Sequence, residues 1–259
     1  MTKNYHYQSP TISELNLLRD PSFIYKNLGM IWDGVYSNEG EYELKRDKSF
    51  FSILERFVGY FKENSLRKII DVGGGTGRFA IELTKRGFDS YLQDISFIAL
   101  DIAERNASLE GINLKTIKED IISKGLNGSY EGILVNRVIH NIDPLSRSKF
   151  LVRLKKGLAS KGRTIISVSS DNINGLYPFS EFGIKHPIEK ETSVVNIVDD
   201  NTGQVYPYLR KFYTLDLLTE ELGTYFNIEK VEFFQENQGN LSSNKNLNYL
   251  VAYLKHHEE

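Results

Sequence analysis

The sequence predicts an α/β fold, a mostly parallel sheet with helices on both faces. Three observations carry that expectation. From Arg67 onward, short apolar runs alternate with helical stretches, the pattern of strands buried on both sides. The first run passes directly into Gly73-Gly74-Gly75-Thr76-Gly77 and then a helix, so backbone is left bare at the junction. The last two runs, 227–234 and 247–254, have no helix between them and are predicted to pair antiparallel.

In chain order, the first element is a helix before residue 65, because Phe50, Leu54, Phe57 and Phe61 fall on one helical face. Strands are predicted at 68–72, 89–93, 114–118, 132–136 and 163–168. Helices over 76–86, 96–110 and 144–159 separate them. Ile98, Ile102 and Leu109 mark the buried face of the second helix, and Leu151, Leu154 and Leu158 that of the third. Asp143-Pro144 suits a helix start, since Asp caps free amides and Pro fits the first helical position. After Val168 the alternation stops. Residues 171–210 read as an insertion with a hairpin turned at 201–203, and the core resumes with a helix over 214–222. A single domain is therefore expected over 1–259. It comprises an N-terminal helical cap over 1–62, a core over 63–170 and 211–259, and the insertion over 171–210 as a lid.

With 40% apolar and 25% charged residues, the chain of 259 residues has the composition of a globular domain with a hydrophobic core. Its 32 Lys and Arg against 34 Asp and Glu give a net charge of -2, which offers no global footprint for nucleic acid or an anionic membrane. The absence of cysteine excludes disulfides, zinc thiolates and a cysteine nucleophile. No apolar run has the length of a signal core or a membrane span, so a cytoplasmic protein is expected.

The strongest local signal is Ile69-Ile70-Asp71-Val72-Gly73-Gly74-Gly75-Thr76-Gly77-Arg78. A strand entering glycines and then a helix lets backbone approach a ligand and turns free helix amides toward it. Gly75, Gly77 and Ala80 fit the G-x-G-x-x-A spacing of a dinucleotide site, with Asp94 placed for a ribose contact. Asp71, Gly73, Gly75 and Gly77 also match D-x-G-x-G-x-G, and an anionic Asp71 suits an ammonium and repels a pyrophosphate.

In this second spacing the chain resembles the class I S-adenosylmethionine-dependent methyltransferases over roughly 67–170 and 211–255. The resemblance implies a Rossmann-like, seven-stranded, mostly parallel sheet whose last strand is antiparallel, with S-adenosyl-L-methionine as cofactor. It implies that Asp71 anchors the methionine amino group and that Gly73, Gly75 and Gly77 make room for the cofactor. It further implies that Asp94 takes the ribose hydroxyls, that Asp120 accepts from the adenine amino group, and that Ile95 and Ile121 flank the ring. Asn136 and Arg137 are expected near the methionine end. Where the family has Asp near the start of its fourth strand, this chain has Glu131.

A methyl on a sulfonium is already activated, so transfer mainly needs a dry pocket that holds the acceptor at attack distance. His140 is the candidate general base, and the plainer alternative is a loop histidine bonded to backbone. No N-P-P-Y-like tetrapeptide follows the fourth strand, which disfavours nucleic-acid base methylation. No pairing of histidines with carboxylates suggests a metal site. Aromatic residues outside the core, Tyr25, Trp32, Tyr36, Tyr177, Phe179, Phe182, Tyr206 and Tyr208, are candidates for the acceptor pocket. The acidic companions Asp33, Asp171, Glu181 and Glu189 suit an amine acceptor. Cap, core and insertion together resemble bacterial natural-product methyltransferases, including those that dimethylate the N-terminal amine of modified peptides such as plantazolicin. That resemblance implies a small-molecule or peptide acceptor, nitrogen rather than oxygen. A NAD-dependent oxidoreductase and a non-catalytic cofactor-binding module remain the alternatives.

Overall fold

The computed structural model describes residues 5–19, 21–38, 48–170, 179–187, 189–200, 202–237 and 246–257. The chain begins with strand β1 (Tyr5–Gln8), a short helix α1 (Ile12–Leu17), and helices α2 (Pro21–Asn38) and α3 (Lys48–Glu63). The core then alternates: β2 (Lys68–Val72), α4 (Arg78–Lys85), β3 (Asp89–Gln93), α5 (Phe97–Leu109), β4 (Lys115–Ile117), α6 (Ile121–Lys124) and β5 (Tyr130–Asn136). A single 3-10 turn (Ile139–Asn141) leads into α7 (Pro144–Gly157) and β6 (Leu158–Ser169). The inserted part carries α8 (Phe179–Phe182), β7 (Ile184–Lys185), β8 (Thr192–Asp199) and β9 (Val205–Lys211). Helix α9 (Leu215–Gly223) and strands β10 (Asn227–Asn237) and β11 (Asn246–Lys255) close the fold.

The main sheet has seven strands in the order β10-β11-β6-β5-β2-β3-β4. Strands β6, β5, β2, β3 and β4 run parallel, and β11 enters antiparallel between β6 and β10. Side-chain alternation explains the two-sided core. Ile70, Val72, Ile133, Val135, Ile166 and Val168 pack with α7 and α9 on one face, while Ile69, Leu134 and Ile165 pack under Phe50, Leu54, Phe57 and Phe61 of α3 on the other. At roughly 1.5–3 kcal/mol per fully buried large apolar side chain, the α3 face is a principal stabiliser of that side. Among the described residues no helix is long and apolar enough to cross a membrane.

Several expectations shift. Helix α5 buries Ala99, Leu100, Ile102, Ala103 and Ala107, whereas Leu109 is 86% exposed. Small side chains on that face let α5 approach the glycine turn, where a Cβ on Gly77 would meet Ala103 at 3.0 Å. Leu158 belongs to β6 rather than to the preceding helix, because its backbone pairs in the sheet with Tyr130 of β5. The N-terminal segment is not helical throughout. Strand β1 pairs with β8 of the insertion, whose hairpin with β9 forms as expected, making a second sheet of four strands.

Candidate active site

The carboxyl ends of β2, β3 and β5 converge on the glycine turn, the edge at which open α/β sheets bind ligands. Gly73, Gly75 and Gly77 have φ of +68°, +56° and +79°, a backbone that side chains disfavour. Gly74 lies at an unspecified position of the spacing, yet a Cβ there would overlap the Asp71 carboxylate and Leu92. The carboxylate thus sits beneath the loop, 0% exposed, and among the described residues neither oxygen has a hydrogen-bond partner. Burial, reinforced by the charge of Asp94, pushes Asp71 up to about 7. An orphaned buried carboxylate under a loop of bare backbone is the chemistry that a cationic ligand group completes.

Asp94 follows β3. Its Oδ2 accepts from the Gly75 amide at 2.8 Å and its Oδ1 from the Ser96 amide at 2.9 Å, so its orientation is fixed by the backbone. Burial raises its pKa, opposed by the amides of Ser96, Gly75 and Ile95. Asp33 reaches the same place from α2, where its Oδ1 accepts from Ser96 Oγ at 2.6 Å and from the Ile98 amide at 3.3 Å. Asp120 caps α6, accepting from the amides of Ile122 at 2.8 Å and Ser123 at 3.2 Å, with Ile121 buried behind it. Glu131 lies at the opposite, amino end of β5. There its Oε2 accepts from the Arg67 and Lys68 amides and aligns β2, far along the strand from the glycine turn. Arg78 stacks on Phe50, its guanidinium carbon 4.6 Å from the ring centre.

Past β5, Asn136 Oδ1 accepts from Ser167 Oγ at 2.7 Å. Arg137 takes a left-handed φ of +64°, a strained conformation for a side-chain-bearing residue, and its guanidinium carbon lies 4.1 Å from the Tyr249 ring centre. His140 is 0% exposed, and its Nδ1 accepts from the Ser169 amide at 3.0 Å. That bond places the ring proton of the neutral imidazole on Nε2. Burial, with Arg210, Arg137 and Arg147 adding to it, holds the pKa well below the usual value, so the neutral form is the one present.

Helix α2 lies along this edge. The Tyr36 hydroxyl occupies the space a Cβ of Gly75 would need, and Gly29 backs onto Ile95. Trp32 lies 6.0 Å from Tyr36 and 5.8 Å, edge on, from Tyr208 of β9, and Gly34 faces the Tyr206 ring. The structure therefore brings Trp32, Asp33 and Tyr36 to the glycine turn. Phe182 instead packs with Val195, Phe212, Tyr7 and Tyr208 in the core of the second sheet. Glu181 is exposed, and Glu189 is ion-paired with Arg147 and Lys211. The side chains of Tyr25 and Phe179, and residues Asp171 and Tyr177 entirely, lie outside the described residues. Sequence reasoning missed Gly74, Ser96, Ser169 and Arg147. Only the first had a signal, its place among the other glycines.

A sheet with this strand order, ending in a glycine turn over an orphaned carboxylate and followed by a fixed acidic residue, defines a cofactor-binding α/β enzyme of the Rossmann-like class. The family described as "Methyltransferase domain" matches residues 42–229 of the chain. The chain belongs to that family. A carboxy-S-adenosyl-L-methionine synthase from Campylobacter hominis is 28% identical over 154 residues, which are 52% of this chain and 65% of that protein, so the match spans less than two thirds of the relative. A methyltransferase structure from Clostridium acetobutylicum superimposes with a TM-score of 0.63 at 15% identity, covering 90% of this chain and 99% of that one. The structure of an N-methyltransferase from Bradyrhizobium japonicum with S-adenosyl-L-homocysteine gives 0.60 at 13% identity, covering 90% and 100%.

Proposed function

We propose that the chain transfers the methyl group of S-adenosyl-L-methionine to a nitrogen of a small-molecule or peptide acceptor, for example the N-terminal amine of a natural-product peptide. The acceptor site is the space between the 136–141 segment, α2 and the β8–β9 hairpin. The cofactor supplies a methyl activated by its sulfonium. Asp71 and the glycines Gly73, Gly75 and Gly77 hold the methionine end, with Asn136 and Arg137 beside it. Asp94 takes the ribose hydroxyls, and Ile95, Asp120 and Ile121 form the adenine side. Trp32, Tyr36 and the hairpin tyrosines exclude water, which raises the reactivity of an acceptor lone pair.

The observation that carries nitrogen over oxygen is the commitment of His140. An alcohol or phenol profits from a base, whereas an amine that binds neutral brings its own lone pair. His140 Nδ1 is already used as an acceptor, and its Nε2 carries the proton. The test is a screen of amine and hydroxyl acceptors for a one-methyl mass gain, run with wild type and His140→Gln. Amine methylation that persists in the variant supports the reading. Hydroxyl methylation that drops about 10²–10⁴-fold in the variant contradicts it, since that is the usual loss on removing a general base.

A further inference from the structure

We infer that Arg147 is a positioning residue for methyl transfer, locking the His140 turn and the inserted sheet into one register. The inference rests on the acceptor site proposed above. Arg147 belongs to α7 and is 1% exposed. Its Nε donates to the Ile139 carbonyl at 3.0 Å and its Nη2 to the Ile142 carbonyl at 2.6 Å, which brackets the turn bearing His140. On its other side, Nη1 and Nη2 donate to the two oxygens of Glu189 at 2.6 and 3.0 Å, and Nη1 also meets Glu221 at 3.4 Å. A guanidinium has five N–H groups in one rigid plane, and all five are used.

The partners belong to different bodies. Glu189 lies three residues before the start of β8 and is further held by Thr192 Oγ1 at 2.9 Å and by Lys211, at the end of β9, at 3.1 Å. Glu221 sits on α9 and accepts from Lys211 at 3.0 Å and Tyr213 at 2.9 Å. Two cations and two anions thus form a locally neutral joint between core, insertion and α9. A buried ion pair is a poor source of stability compared with apolar packing, but its fixed geometry specifies register. Through β9 the same register reaches Tyr208 and, across α2, Trp32.

Trp32 is the chain's single tryptophan, which supplies the test. Arg147→Lys keeps the charge but not the planar fork. In wild type and variant we would measure acrylamide quenching of Trp32, the ring nitrogen shifts of His140, and calorimetric affinity for S-adenosyl-L-homocysteine. The expected result is a rise in quenching together with shifted His140 signals, at unchanged affinity for the homocysteine product. Unmoved Trp32 and His140 signals beside a lowered melting temperature would overturn the inference, leaving Arg147 a purely structural group. Should Arg147→Lys fail to fold, Glu189→Gln carries the same readouts. Failure of the cofactor reading is separately visible, because wild type itself would then not bind S-adenosyl-L-homocysteine.

Discussion

Gly74 shows how a single hydrogen atom in place of a methyl sustains the site. Because its missing Cβ leaves room for the Asp71 carboxylate and Leu92, Gly74→Ala should lower stability by about 1–3 kcal/mol, the usual cost of forcing a group into a packed interior. It should also weaken binding of S-adenosyl-L-homocysteine, and thermal unfolding with titration reads both. Asp71 carries a pH signature. Its folded pKa of about 7 lies above the 3.8 of a solvated aspartate, so across that window the folded chain holds more protons than the unfolded one. This group's contribution to stability therefore falls as pH rises from about 4 to about 7 and is level above it. Binding of the ammonium-bearing homocysteine product should show the opposite trend, tightening as pH climbs through 7. Asp71→Asn should flatten both profiles, and a wild-type affinity independent of pH between 6 and 8 would count against the pairing. At this scale Asp71, Gly75 and Asp94 were legible because the strand-to-glycine junction announces itself. Asp120 was ambiguous, since a cap and an adenine contact ask for the same residue, and its capping bonds are what the structure shows.

Helix α2 illustrates what element-level reading does and does not reach. The strands and helices of the core follow from apolar periodicity, because each must bury a face against the sheet regardless of what lies further off. Docking of α2 does not follow, since it depends on contacts with residues far along the chain: Asp33 with Ser96 and Ile98, Gly29 with Ile95, and Gly34 with Tyr206. The pairing of β1 with β8 escaped for the same reason, four residues being too few to show a period. Asp33→Ala removes an acceptor from the first turn of α5, and a loss of about 1 kcal/mol is expected, the typical value for a helix cap. Urea unfolding reads that loss. Stopped-flow release of S-adenosyl-L-homocysteine should be faster in the same variant, because α2 covers the glycine turn through Tyr36. Slower or unchanged release would mean that α2 does not gate the site.

For the whole molecule, a two-sided sheet core holds the strand ends still while two outlying pieces, α2 and the β8–β9 hairpin, meet over them through Trp32 and Tyr208. Two of the acidic residues expected to recognise an amine have partners within this division. Asp33 secures α2 to α5, and Glu189 secures the insertion to α7. A charge in a sequence carries no mark of its partner, so Arg147, buried and fully bonded, reads there as one more surface arginine of α7. The centre of the account is the proposal that the glycine turn and Asp94, joined by the Gly75 amide, hold S-adenosyl-L-methionine. Calorimetric titration of the purified protein with S-adenosyl-L-homocysteine and with NAD, repeated on Asp94→Ala, tests it most directly. Binding of the first ligand alone, weakened at least about tenfold by the substitution, or about 1.4 kcal/mol, is the expected result. Binding of NAD alone, or affinity for the homocysteine product indifferent to Asp94, would contradict it.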